Sequence, residues 1–123
     1  MNLALWITQA FLALAFVVVG LMKATRPIST IAPSMPWVED YSPITVRLIG
    51  AIEVVGAIGL ILPGVTGVAT VLTPISATGL ALIMVLAAIV HARRKEGGAI
   101  VLNVVLLAAS AFVAWEQFGR YAG

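Results

Sequence analysis

Four apolar runs, each about long enough to cross a bilayer, follow one another along this chain, separated by short segments rich in proline, glycine or charge. From Leu3 to Met22 no residue is charged, and at about 1.5 Å rise per residue the run matches a hydrocarbon layer roughly 30 Å thick. It predicts a first helix over about 3–22, closed by Lys23 and Arg26. Pro27, Pro33, Pro36 and Pro43, with Ser29, Ser34 and Ser42 among them, argue against a continuous helix through the next segment. Trp37 and Tyr41 favour the membrane–water interface, so this loop is expected to lie against the bilayer.

The second helix is expected over about 44–62, because Pro43 suits a helix start and Pro63-Gly64 reads as a stop and turn. The third is expected over about 65–90, with Pro74 either kinking it or opening its regular part. His91-Ala92-Arg93-Arg94-Lys95-Glu96 and the Gly97-Gly98 pair signal its end. The fourth, over about 100–115, is short for a span unless the Phe118–Tyr121 segment extends it. The expected fold class is all-α, a bundle of four transmembrane helices in one membrane-embedded domain over residues 1–123.

Composition supports lipid as the solvent. Of 123 residues, 62% are hydrophobic and 10% charged, where a soluble domain carries about a quarter charged. Mean hydropathy is +1.13. The runs are apolar on all sides, whereas helices of a soluble core keep a polar face. Cysteine is absent, which excludes disulfides, thiol nucleophiles and cysteine-ligated metals, and any electron-transfer role then needs a bound cofactor or a partner. The formal charge of +2 reports topology better than nucleic-acid binding, for which the sequence offers no support. The first run has no basic flank ahead of it and full span length, so it reads as a retained helix.

With four crossings, the loops at 23–43 and 91–98 share one side, and both termini share the other. Lys23, Arg26, Arg93, Arg94 and Lys95 lie on the first side, with Arg47 just inside it, against Arg120 opposite. By the positive-inside rule the charged loops face the cytoplasm and the termini face out.

Glu53 falls about nine residues into the second helix, roughly 12 to 14 Å deep. A carboxylate there costs about 2.5 kcal/mol or more on insertion scales, so it is expected to face the interior and to be protonated, paired or hydrated. Gly50 and Gly56 flank it on one face and admit a close neighbour, helix or ligand. Arg47 lies six residues before it, roughly 120° around the helix, and is expected to reach headgroups or another helix's carbonyls. Lys23 is expected to snorkel to the interface. His91, the single histidine, is a poor metal site without partners, and no metal ligand set is found. Asn103 lies one turn into the last helix on the same side, so Arg47, His91, Asn103 and Glu53 together suggest a vestibule open to that side. The plainer alternative is that these are polar residues near a loop, with Glu53 a clasp between helices. Met22, Met35 and Met84 read as packing residues. No phosphate loop, dinucleotide fingerprint, nucleophile elbow or zinc-protease motif is present.

The order Gly20-x-x-Lys23, Arg47-x-x-Gly50-x-x-Glu53-x-x-Gly56-x-x-Gly59, then His91 ahead of the final helix and Asn103 within it, resembles the DoxX-like family of small membrane proteins. The resemblance covers nearly the whole chain and implies a four-helix membrane bundle in a bacterial plasma membrane. Some members are similar to the membrane subunit of thiosulfate:quinone oxidoreductase, and the family more distantly resembles an animal chaperone of receptor assembly. Lys23, Arg47, Glu53, His91 and Asn103 match its polar positions. Three readings stay open: an accessory component of a redox or quinone-linked membrane process that binds a quinone or lipid-like molecule at Glu53, Arg47, Asn103, Lys23, Gly50 and Gly56; an assembly factor that recognises membrane helices through Gly50, Gly56 and Gly59; and a small enzyme using Glu53 and His91 in acid–base work on an apolar substrate. Membrane lipids are expected neighbours, and a second copy or a membrane-protein partner is a further expectation.

Overall fold

A computed structural model describes residues 3–122, with side chains through Gly119. Five α-helices and one 3₁₀ turn follow in the order α1 (Leu3–Thr25), α2 (Ile28–Ile31), the 3₁₀ turn (Pro36–Asp40), α3 (Pro43–Thr66), α4 (Leu72–Arg93) and α5 (Gly97–Ala122). The four long helices are each long and apolar enough to cross a membrane. They form an all-α bundle in which α1 lies chiefly along α3, α4 along α5, and α3 joins the two pairs.

Each boundary has a local cause. Ser42 caps α3, its hydroxyl accepting from the Thr45 amide at 3.3 Å, and Pro43 fills the first helical position, where no amide proton is needed. The expected stop at Pro63-Gly64 is corrected: α3 continues to Thr66 with Pro63 inside it. A proline there removes the donor for the carbonyl of Gly59 four residues back. The Thr73 hydroxyl of α4 supplies one instead, donating to the Gly59 oxygen at 2.9 Å. The helix ends one turn later, where Gly67 takes the left-handed conformation at φ 73° and its amide reaches Pro63 O at 2.8 Å. The third span therefore begins at Leu72 rather than 65, with Pro74 in its first turn, and runs on to Arg93. The fourth is longer than expected at both ends, Gly97–Ala122, which gives it full span length.

One core runs up the bundle axis through Leu5, Leu12, Phe16, Ala57, Leu60, Ala77, Leu80, Met84, Leu106 and Val113. A second, smaller cluster of Ile31, Val38 and Val46, with Ile28, Ala32, Met35 and Trp37 against it, belongs to the 27–41 segment. That segment folds back as a strap over the start of α3. The outward faces are largely apolar: Leu3 is 74% exposed, Val55 68% and Leu86 63%. Such surfaces are stable only against lipid or another protein.

Candidate functional site

Lys23, Arg47 and Glu53 meet where α1 crosses α3 beneath the strap. The crossing is set by two glycines. A Cβ on Gly50 would stand 2.5 Å from the Gly20 carbonyl oxygen and 2.6 Å from the Ala24 amide nitrogen, and one on Gly20 would stand 2.8 Å from the Gly50 oxygen. Backbones this close bring the last turn of α1 level with Gly50 and leave Lys23 beside the buried stripe of α3 that runs Val46, Gly50, Glu53, Ala57, Leu60.

Lys23 does not snorkel. Its Nζ donates to Glu53 Oε1 at 2.7 Å, with the lysine 8% and the glutamate 1% exposed. Of the three expected states of Glu53, paired is the one adopted. The expected release of Lys23 to the interface is overturned because Glu53, buried where it cannot reach water, would be left an unpaired carboxylate, which costs more than the hydration the ammonium gives up. Arg47, half-buried, donates from Nη1 to the backbone carbonyl of Lys23 at 2.8 Å. That carbonyl belongs to the last turn of α1 and has no helical partner of its own, so the guanidinium serves as its cap. One residue thus holds both others, Glu53 through its side chain and Arg47 through its backbone. The Trp37 ring covers the ammonium, its centroid 5.2 Å from Nζ, and meets Tyr41 edge-on at 5.9 Å.

Arg47, His91, Asn103 and Glu53, expected to line one vestibule, make their hydrogen bonds to different groups. His91 Nδ1 hydrogen-bonds to Glu96 Oε1 at 2.8 Å in the α4–α5 turn. Asn103 donates from Nδ2 to Met84 Sδ at 3.2 Å across α4 and α5. Glu53 and His91, the candidate acid–base pair, have different partners on different elements. The α3 helix gives its polar stripe to α1, whereas His91, in the last turn of α4, turns to Glu96 beyond it. Gly56 faces Leu80 and Gly59 faces Ser76, so both serve the α3–α4 contact inside the chain, not an outside helix. Two open surface depressions lie outside this cluster, one along Val18, Leu21, Met22, Thr25 and Arg26, the other on the strap at Ile28, Ser29, Ala32, Pro33, Pro36 and Glu39.

Two groups escaped the sequence reading. Gln9, fully buried, donates from Nε2 to Leu60 O at 2.6 Å, and its Oε1 accepts from Gln117 Nε2 at 2.7 Å. This amide chain ties α1, α3 and α5 together at the end opposite the strap. A glutamine inside a charge-free, largely apolar run was the available signal. The other is a charged chain at the strap end, in which Arg94 Nη1 pairs with Asp40, Arg94 Nε lies 3.4 Å from Glu96 Oε1, and Glu96 accepts from His91. The His91 hydrogen bond, followed by Arg94, holds the Glu96 carboxyl below its ordinary value of 4.5 despite partial desolvation. Among the described residues no group of three or more His, Asp or Glu is placed to hold a metal ion.

Four apolar helices around a buried lysine–glutamate pair define an integral membrane protein of the small helical-bundle class. The family model described as DoxX-like matches residues 7–113, from the second turn of α1 to about two thirds of the way along α5, and the chain belongs to that family. Comparison with curated proteins and with solved structures finds no match in either.

Proposed function

We propose that this protein is an accessory membrane component that holds a lipophilic small molecule, quinone or lipid-like, by its polar head at the Lys23–Arg47–Glu53 cluster, in support of a redox or quinone-linked process. The observation that carries the reading is a buried Lys23–Glu53 pair under the Trp37 ring, with a second cation, Arg47, held against the Lys23 backbone carbonyl and paired with no carboxylate there. In a low-dielectric setting the unmatched positive charge favours electron-rich oxygens, such as quinone carbonyls or a phosphate ester. Trp37 adds a ring on which a flat head group can stack. The cluster lies at the strap end of the bundle, so such a molecule enters from the interface with its tail along the lipid-facing helices. Asn103 hydrogen-bonds on the α4–α5 pair and has no part in this cluster.

The chain has no cysteine, so electrons held by the bound molecule pass to and from a partner protein. The excess of Lys and Arg at the strap end supports an orientation with the strap in the cytoplasm and both termini outside. An assembly role resting on Gly50, Gly56 and Gly59 has less support, since those faces are occupied by α1 and α4. An enzyme role for Glu53 with His91 has less support still, because the two groups are not joined.

The test is mass spectrometry of lipids and quinones extracted with the purified protein, per mole of folded bundle. The Lys23→Met, Glu53→Gln double variant removes both charges of the pair and is expected to lose the retained molecule at least tenfold. Equal retention in the two proteins overturns the reading.

A further inference from the structure

We propose that the strap, residues 27–41, is a lid over the Lys23–Glu53 pair, latched by the Asp40–Arg94 ion pair, which lifts toward the membrane surface to admit the molecule; this rests on the ligand reading above and adds its gate.

The strap is built to move as a unit. Prolines at 27, 33 and 36 limit it to two short helical pieces, and its ends are extended, with Pro27 at φ −58°, ψ 143° and Tyr41 at φ −123°, ψ 159°. Its apolar residues close on one another and on Val46 in a cluster of their own, separate from the axial core. Lifting it therefore breaks a local cluster and leaves the four spanning helices packed. Over the cluster the strap lays the Trp37 ring, which makes it the cover of the ammonium.

The latch joins parts of the chain 54 residues apart. Its far half lies in the α4–α5 turn: Glu96, itself bonded to His91, stands 3.4 Å from Arg94 Nε, and the same guanidinium donates from Nη1 to Asp40. Its near half is solvent-facing, the Asp40 side chain being 55% exposed. An exposed ion pair of this kind is weak and screened by salt, so it biases the strap without locking it. A buried pair at the same place would make opening too costly to gate anything.

The absence of cysteine makes the experiment direct. Val38 is fully buried in the strap cluster, so Val38→Cys places a single thiol that is protected when the strap is down. Maleimide labelling is measured in nanodiscs on quinone-stripped protein, in the Val38→Cys background alone and with Asp40→Asn, Arg94→Gln or, as control, Arg93→Gln. Latch variants are expected to label about three- to fivefold faster, the change that loss of an exposed ion pair makes in an opening equilibrium, and the control to be unchanged. High salt is expected to speed the latched form toward the variants. Equal rates in latched and unlatched forms overturn the proposal.

Amide exchange in the chain with native Val38 gives a second readout that does not depend on the cysteine. Asp40→Asn is expected to speed exchange within 28–41 and not within α4; uniform acceleration, or none, overturns the lid. Decylubiquinone titration separates this from the ligand reading. Faster strap opening without any quinone binding leaves the lid standing and removes the ligand. Quinone binding with a strap indifferent to Asp40 and Arg94 does the reverse.

Discussion

Lys23 points its ammonium away from the nearest membrane surface and into the bundle, where Glu53 meets it at 2.7 Å. A lysine two residues from the end of a spanning helix has a short path to water, and here it is not taken. The reason is positional. Glu53 lies about 15 Å along α3 from Pro43 and cannot reach the interface itself, so the flexible partner moves to the rigid one.

That asymmetry predicts unequal single variants. Lys23→Met leaves a carboxylate buried without a cation and is expected to cost about 3 to 5 kcal/mol, as for other broken buried pairs. Glu53→Gln leaves a lysine able to swing to the interface, so its cost is expected near 1 to 2 kcal/mol. The double variant leaves a buried amide at position 53 without a partner, so it is expected to fall about 1 to 3 kcal/mol below wild type, less than the sum of the two single losses. Unfolding in mixed micelles measures all three, and strictly additive losses would contradict a coupled pair.

The helix crossing predicts a contrast between glycines. Gly50→Ala drives a methyl into the backbone of α1 and is expected to destabilise by about 2 to 3 kcal/mol and to displace Lys23 from Glu53. Nothing lies within 4 Å of a Cβ built on Gly79, so Gly79→Ala is expected to be neutral or to stabilise by up to about 1 kcal/mol. Thermal unfolding of the two variants side by side checks this.

At the other end, Gln9 links Gln117 to the Leu60 carbonyl. Gln9→Leu removes both bonds and leaves the Gln117 amide without that acceptor, for an expected loss of about 1 to 2 kcal/mol. A crosslink between α1 and α5, formed through cysteines introduced at their lipid-facing edges, is expected to lose yield in this variant while α1–α3 crosslinking holds.

Acid is expected to loosen the strap end first. The folded value of Glu96 is depressed, so the unfolded chain binds its proton more readily, and the stabilisation is fully present above about pH 4.5 and fades as pH falls through the folded value. Melting temperatures from about pH 6 down to pH 3 are expected to fall more steeply in wild type than in Glu96→Gln. Parallel curves would show that the His91–Glu96 bond contributes nothing.

Single cysteines test the orientation. Ser29→Cys on the strap is expected to label only from the cytoplasmic side, and Val68→Cys, in the α3–α4 turn, only from outside. The opposite pattern would invert the site as well as the chain.

The number of spans, their order and the interior placement of Glu53 were determined by sequence alone, because the length of an apolar run and the cost of a charge in lipid depend on nothing beyond the run itself. For Arg47 the sequence left headgroups and another helix's carbonyl both open, and the approach of α1 selects the carbonyl of Lys23. Tertiary structure decided the rest. Pro63 reads as a stop until Thr73 of α4 supplies the hydrogen bond it withholds from Gly59. Lys23 reads as a snorkelling residue until Gly20 and Gly50 bring α1 and α3 close enough to join it to Glu53. His91, Asn103 and Glu53 share a side of the membrane in sequence yet find Glu96, Met84 and Lys23 as separate partners. Periodicity fixes depth along a helix, but a side chain's partner depends on which helices touch and how closely, and that is set by packing between residues far apart in the chain.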